Sequence, residues 1–265
     1  MNRALLLIDR GSREPEAKEE LIQLCNMIKE QSRYVLVDHC FLEVIPPYIE
    51  EGIIRCVSKN VDSITVMPYF LYPGMKLKDS VKKTARICYD KGIKVIIAKP
   101  LSYHDLLISI IRDRISATRV KNGIVLEDDK CDILVIGHGS SDKTARTAFI
   151  HTVNELKPNF RSVTFCFLEL DDPRIEKGIE TVISSNPNVI IIVPYFLHKG
   201  AHVKNDVLKD INLALENFNT KKKSIKKSQI MVFADKLKME MHIKFLWVIH
   251  TDYASFCLFV SFIFS

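Results

Sequence analysis

The sequence predicts an α/β protein made of two tandem halves, each a doubly wound parallel sheet of four strands. Two observations predict this fold class. Short apolar or β-branched runs alternate with helical patterns, and the whole alternating pattern occurs twice. Parallel strands joined by helices make right-handed crossovers. Each half is therefore expected to form its own sheet, with a pseudo-twofold axis relating the halves.

The second observation is an internal duplication. The run CFLE at 40–43 recurs at 166–169, an offset of 126 residues, and positions 40–53 and 166–179 share nine identities in fourteen. Unrelated stretches of that length share about one identity. The same offset aligns PYFL at 68–71 with PYFL at 194–197. The chain therefore holds two copies of one unit, with a period too long for a solenoid.

The pattern of each segment places the individual elements. In copy one, strands are predicted at Ala4–Ile8, Tyr34–Phe41, Ser63–Met67 and Lys94–Ala98, and helices at roughly 14–31, 47–60, 78–91 and 103–117. In copy two, strands are predicted at Asp132–Ile136, Ser162–Phe167, Val189–Val193 and Gln229–Phe233, and helices at roughly 142–157, 173–185 and 203–216.

The predicted organisation has four parts: copy one over 1–120, a polar linker over 121–130, copy two over 131–237, and an atypical tail over 238–265. Residues 245–265 hold five phenylalanines and Trp247. Three interpretations stay open for this tail: a folded helix, a membrane-associated segment, or the product of an altered reading frame. No run before the tail is long enough to span a membrane.

The net charge of +6 is concentrated near the carboxyl terminus. Residues 221–244 contain eight lysines against Asp235 and Glu240, whereas the first 220 residues carry 30 basic and 29 acidic side chains. The body of the protein is nearly neutral, so a general nucleic-acid-binding domain is excluded. Seven cysteines form no CxxC pair, and we therefore expect reduced, buried thiols in a cytoplasmic protein.

Histidines follow two strands of copy two at the edge where doubly wound sheets bind ligands. His138 lies in GHGSSD after the first strand, and His202 closes the loop LHKGAH after the third. If these strands are neighbours, the two imidazoles face one cleft. Imidazole suits divalent first-row metals and also accepts protons. A single loop histidine more often caps a helix, but two at equivalent strand ends favour a metal site.

These motifs resemble those of the sirohydrochlorin chelatase family (CbiX/SirB, the small class II tetrapyrrole chelatases). GHGS at 137–140, FLE at 167–169 and VPYFL..G.HV..D at 193–206 carry the resemblance, which covers nearly all of 3–216 in both copies. It implies an ATP-independent lyase that inserts a divalent metal into sirohydrochlorin in cobalamin or siroheme biosynthesis. It also implies that His138 is both metal ligand and proton acceptor, and that His202 is the second metal ligand. Substrate contacts are implied for Glu169, Leu197, His198, Lys199, Gly200, Ala201 and His202.

Copy one departs from the family pattern. Arg10 stands at the position of His138 and Lys76 at that of His202, and neither cation ligates a metal in its charged state. Copy one is then either a scaffold that completes the cleft or, through Arg10 and Lys76, a site for substrate carboxylates. Glu169 also has two interpretations: a group that orients a histidine or takes a proton, or an ion-paired carboxylate at a strand end.

The predicted function is metallation of sirohydrochlorin, with Co²⁺ as the favoured metal. Fe²⁺ and Ni²⁺ are the alternatives, because two imidazoles bind all three ions. A non-catalytic carrier of the tetrapyrrole or of the metal is the alternative from another class. No cofactor is expected besides the metal being inserted. The expected partners are sirohydrochlorin and that metal, and fusion of the two copies favours a monomer.

Overall fold

The computed structural model describes residues 2–99, 101–103, 105–197, 206–221 and 230–233. These residues divide into two compact units, of which the first ends at Ser102 and the second begins at Tyr103. Within those ranges, no helix is both long enough and apolar enough to cross a membrane.

The elements of the two units follow one another in the repeating order that the duplication predicts. The first unit contains β1 (Arg3–Asp9), α1 (Pro15–Gln31), β2 (Leu36–Phe41), α2 (Ile49–Val57), β3 (Ser63–Pro68), α3 (Met75–Asp90) and β4 (Lys94–Ile97). The second contains α4 (Asp105–Lys121), β5 (Asp132–Gly137), α5 (Lys143–Leu156), β6 (Ser162–Phe167), α6 (Ile175–Ser184), β7 (Val189–Pro194), α7 (Val207–Lys221) and β8 (Ile230–Phe233). Short 3-10 turns lie at Asp128–Lys130 and Lys157–Asn159.

Both units have a parallel sheet with the same strand order. That order is β2-β1-β3-β4 in the first unit and β6-β5-β7-β8 in the second. The registers correspond too, because Ile8 lies opposite Cys40 and Ile136 lies opposite Cys166. The strand order reverses between β1 and β3 and again between β5 and β7, so each sheet has one topological switch point. The predicted class of two doubly wound four-stranded halves is confirmed.

One helix begins earlier than predicted, which changes the setting of a candidate site residue. α3 starts at Met75 and not near residue 78, and Lys76 therefore lies in the first turn of a helix. The sequence pattern had placed Lys76 in the preceding loop. The glycine at position 74 is the residue that precedes the helix, and it ends the loop that follows β3.

The helix α4 follows the first sheet in the chain but packs in the second unit. It continues to Lys121, beyond the predicted end at 117, and lies against α5 and β7. Its buried apolar side chains include Leu107, Ile110, Ile111 and Ile115. The predicted limits at 1–120, 121–130, 131–237 and 238–265 stay predictions, and the tail lies outside the described residues.

A glycine opposite a cysteine brings one helix close to the sheet in each unit. A Cβ on Gly52 of α2 would lie 2.8 Å from the Cβ of Cys40, and one on Gly178 of α6 would lie 2.6 Å from that of Cys166. A larger residue would push the helix off the strand that leads to the site. Cys166 is fully buried, and burial raises the pKa of its thiol to about 12, so it is a protonated core residue.

Candidate functional site

The candidate site lies at the carboxyl ends of three neighbouring strands in the second unit. β5 pairs with β6 on one side and with β7 on the other, and Ile136 lies opposite Pro194. The condition set by the sequence, that the strands before His138 and before the loop at 197–202 be neighbours, is therefore met. Parallel strands present their carboxyl ends at one edge, so the loops after β5, β6 and β7 begin at that edge.

His138 and Glu169 meet at this edge. The Nε2 atom of His138 is 3.1 Å from Oε1 of Glu169, and both side chains are partly exposed. The main chain aligns them: Glu169 N–H donates to the His138 carbonyl at 2.9 Å. Leu168 N–H donates to the Gly137 carbonyl, also at 2.9 Å. Pairing between the strands thus continues past their ends and places two chemically active side chains next to each other.

Gly139 allows the two site loops to come into contact. Its φ is +93°, and a Cβ built on it would lie 1.7 Å from the carbonyl oxygen of Glu169. Gly11 of the first unit has φ +98° and the same conflict, at 2.2 Å, with the Glu43 carbonyl. Only glycine satisfies both the left-handed backbone and the close approach. The glycine after the histidine is therefore what brings the glutamate loop to the site.

Two further contacts hold the imidazole of His138. Its Nδ1 atom is 3.3 Å from the Gly139 carbonyl oxygen, and the ring of Phe196 meets it edge to face with centroids 6.5 Å apart. The Gly139 carbonyl oxygen contacts Nδ1, so the other ring nitrogen, Nε2, is the one that faces Glu169. The sequence analysis missed Phe196. It lies in the repeated PYFL motif, so the duplication itself was the available signal.

Arg146 braces the segment that follows Glu169, and sequence reasoning missed it too. This residue of α5 forms an ion pair with Asp171 and donates to the Asp172 carbonyl at 2.9 Å. Its guanidinium also lies over the Phe167 ring, 5.3 Å from the centroid. The ion pair joins residues 25 positions apart in the chain, and a local sequence pattern does not predict such a contact.

The loop predicted to carry the second histidine is only partly described. Leu197 is its last described residue and is half-buried, whereas His198, Lys199, Gly200, Ala201 and His202 lie outside the described residues. The convergence of His138 and His202 stays a prediction. Among the described ranges, no group of three or more histidine, cysteine, aspartate or glutamate side chains is placed to hold a metal ion. His138 and Glu169 are the candidate ligands that the structure describes at this edge.

The corresponding position in the first unit is filled by an ion-pair triad. Arg10 Nε donates to Oε1 of Glu43 at 2.9 Å, and Lys76 Nζ donates to Oε2 at 2.7 Å. Glu43 corresponds to Glu169 in the repeat. The hydrogen bonds and charges of Lys76 and Arg10 lower the pKa of Glu43, which keeps it ionised. Both carboxylate oxygens have a cationic partner, and each cation stands where the second unit has, or is predicted to have, a histidine.

Two doubly wound units, one with a histidine and a carboxylate at the carboxyl ends of adjacent strands, define a tandem α/β protein with a candidate metal-binding edge. The chain matches the CbiX family model over residues 4–118 and 132–239 and belongs to that family. It is 25% identical over 225 residues to a sirohydrochlorin cobaltochelatase of Priestia megaterium, covering 83% of this chain and 72% of the relative. It is 24% identical over 221 residues to a sirohydrochlorin ferrochelatase of the same organism, covering 82% of this chain and 79% of the relative.

Solved structures share the fold. SirB from Bacillus subtilis with Fe³⁺ matches with a TM-score of 0.74 at 20% identity, covering 94% of this chain and 93% of that one. A CbiX described as the terminal enzyme for biosynthesis of siroheme in denitrifying bacteria matches with a TM-score of 0.64 at 15% identity, covering 92% of this chain and 98% of that one. The predicted family membership is confirmed.

Proposed function

We propose that this chain inserts a divalent metal into sirohydrochlorin without a nucleotide cofactor, with Co²⁺ as the favoured metal and Fe²⁺ as the alternative. The meeting of His138 and Glu169 at the carboxyl ends of β5 and β6 in a CbiX-family unit is the observation that carries the proposal. The names of the two Priestia megaterium relatives support the reaction and both metals. The metal is a substrate here and leaves with the macrocycle.

The spacing of the two side chains fits a shared metal ion. Two ligands bound at about 2.1 Å and at about a right angle to each other lie about 3.0 Å apart. The observed separation between His138 Nε2 and Glu169 Oε1 is 3.1 Å. The separation is compatible with both atoms binding one ion. We propose His202, from the loop after β7, as the further ligand.

The same pair supplies a route for protons. Metallation replaces two pyrrole N–H protons of the macrocycle with the metal, so a base must take protons near the metal. We propose that His138 is that base, because it combines metal binding with proton acceptance at one site. Glu169, whose main-chain N–H is bonded to the His138 carbonyl, is held where it can orient the imidazole and share the proton. The group that delivers the metal thus stands beside the group that removes the proton.

Sirohydrochlorin carries many carboxylates, and the chain needs cations to bind them. We propose that Arg10 and Lys76 contact substrate carboxylates, and that the loop from Leu197 to His202 also contacts the macrocycle. The triad of Arg10, Lys76 and Glu43 has a net positive charge, and all three side chains are partly exposed. A substrate carboxylate can accept from the guanidinium and ammonium donors that Glu43 leaves unused.

The decisive experiment follows the absorbance of metal-free sirohydrochlorin under anaerobic conditions, with Co²⁺, Fe²⁺ or Ni²⁺ added in parallel. The expected result is many product equivalents per chain, fastest with Co²⁺, and loss of turnover in His138→Ala with the fold intact. Formation of a single equivalent per chain would identify a carrier and overturn the proposal. A rate that is greatest with Fe²⁺ would keep the reaction and change the metal.

We also propose a cytoplasmic monomer. The described cysteines, at positions 25, 40, 56, 88, 131 and 166, are all free and buried, which supports a reducing compartment. Two copies of the unit already lie in one chain, so a second chain is not needed to supply the pair. Light scattering of the full chain, with and without metal, tests the oligomeric state.

A further inference from the structure

Two exposed apolar residues have a backbone conformation that their type avoids. Val44 has φ +75° and is 42% exposed, and Leu170 has φ +61° and is 62% exposed. They occupy the same position in the two copies, immediately after Glu43 and Glu169. A left-handed backbone is costly for any residue with a bulky side chain, and most of all for a β-branched one.

The site loops impose this conformation. In the second unit, the Glu169 N–H is bonded to the His138 carbonyl, and the Glu169 carbonyl oxygen lies against Gly139. Both peptide groups of Glu169 are therefore restrained by the histidine loop. In the first unit, the Ile45 N–H donates to the Glu43 carbonyl at 2.9 Å and closes a three-residue turn over Val44. A turn of that length with φ near +75° is rare and strained.

Folding stability does not account for the residue types at these positions. Among the described non-glycine residues, the other left-handed position that recurs in both copies carries asparagine, at Asn60 and Asn186, which tolerates that backbone. Asparagine or glycine would relieve the backbone at Leu170 as well, and an exposed leucine gains little from burial in the folded chain. A residue that strains the backbone and is poorly packed within the fold is a candidate for contact with a ligand.

We propose that Leu170 is the apolar contact that holds the face of the tetrapyrrole over the metal site. This inference rests on the proposed chelatase function. The macrocycle is a planar conjugated ring with carboxylates at its periphery, so its faces are apolar while its rim is charged. Leu170 directly follows Glu169, which pairs with His138, so its exposed isobutyl group belongs to the loop that carries a candidate metal ligand. Contact with the ring face would bury that group and exclude water from the metal.

The test compares variants that separate the side chain from the backbone strain. Leu170→Asn keeps the size of the side chain, suits the left-handed backbone and removes the apolar contact, and Leu170→Gly removes the side chain altogether. We expect both to raise the thermal midpoint or leave it unchanged, and to raise the KM for sirohydrochlorin about tenfold, the size expected for losing burial of one aliphatic side chain. Co²⁺ binding, measured by calorimetry without the macrocycle, should stay within twofold of wild type.

Two further variants serve as controls. Leu170→Met retains an apolar side chain, and its KM should be close to that of wild type. Leu213→Ala removes a leucine of α7 that is 47% exposed, and its KM should not change. Quenching of macrocycle fluorescence by the full chain, without metal, gives the affinity independently of turnover.

The outcomes separate this inference from the function on which it depends. Wild-type turnover with an unchanged KM in Leu170→Asn and Leu170→Gly would overturn the role of Leu170 and leave the chelatase intact. A lower thermal midpoint together with an unchanged KM would make Leu170 a structural residue. A wild-type chain that neither binds nor metallates sirohydrochlorin would overturn both proposals.

Discussion

The two units have the same sheet and the same loop contacts, but their site side chains differ. In the first unit, Arg10 and Lys76 bind the two oxygens of Glu43, and in the second, His138 lies 3.1 Å from one oxygen of Glu169. The backbone links are equivalent, since Glu43 N–H donates to the Arg10 carbonyl as Glu169 N–H does to that of His138. The duplicated scaffold therefore keeps its geometry whether its edge carries an ion-pair triad or a candidate metal site.

The difference has a simple chemical basis. Arginine never loses its proton in proteins, and a charged lysine has no lone pair to donate. The first unit holds the positive charge covalently at the position where the second is proposed to hold it as a metal ion. Arg10 and Lys76 neutralise Glu43 without a ligand, whereas the charge of Glu169 is proposed to be neutralised by the bound metal. We expect metal chemistry in the second unit and carboxylate binding in the first.

The largest expected effect comes from comparing two variants, one in each unit, at equivalent positions. His138→Ala should lower kcat for sirohydrochlorin metallation about a thousandfold, because it removes a proposed ligand and the proposed base together. Arg10→Ala is the matched variant: kcat should change little, and KM should rise about fivefold for a partly exposed charged contact. Near-normal turnover in His138→Ala would place the reaction elsewhere.

The second-largest effect concerns catalysis after substitution of the two equivalent glutamates. Glu169→Gln keeps the shape of the side chain but weakens metal binding and proton sharing, and kcat/KM should fall about ten- to a hundredfold. Glu43→Gln, the equivalent change in the first unit, should leave kcat within about twofold of wild type. Equal losses in both variants would show that the first unit takes part in the chemistry.

Metal stoichiometry sharpens the comparison further. Wild type should bind one Co²⁺ per chain, and Arg10→His combined with Lys76→His should bind two, because Glu43 then faces imidazoles in an equivalent loop geometry. Equilibrium dialysis with metal analysis measures the ratio. A double variant that still binds one ion would mean that the two edges differ in more than their side chains.

The smallest effect concerns the stability of the triad. Lys76 and Arg10 lower the pKa of Glu43 below its ordinary value of 4.5, so the stabilisation is complete above pH 4.5 and is lost as the pH falls through the lowered pKa. Wild type should therefore have a slightly higher thermal midpoint than Glu43→Gln near neutral pH, and the gap should close in acid. Added salt should also narrow the gap, because the groups are partly exposed. A gap that persists below the lowered pKa of Glu43, where its carboxyl is protonated in the folded and unfolded states alike, would contradict this account.

The sequence by itself determined the duplication, the eight strands and their alternation with helices, and the edge at which His138 lies. These features follow from local patterns. Runs of β-branched residues define buried strands, and parallel connectivity places the loops after them at one edge. The identities between 40–53 and 166–179 also marked Glu43 and Glu169 as equivalent before any geometry was known.

Only the tertiary structure decided how the site side chains are paired. The deciding contacts join residues far apart in the chain. Arg10 and Lys76 both form ion pairs with Glu43, Arg146 forms one with Asp171, and α4 packs in the second unit. No periodicity encodes such contacts, because they depend on which strands become neighbours and how closely their loops approach. The left-handed backbone of Leu170 is of the same kind. The backbone propensity of leucine disfavours a positive φ. Leu170 adopts one because Gly139 brings the Glu169 loop against the histidine loop.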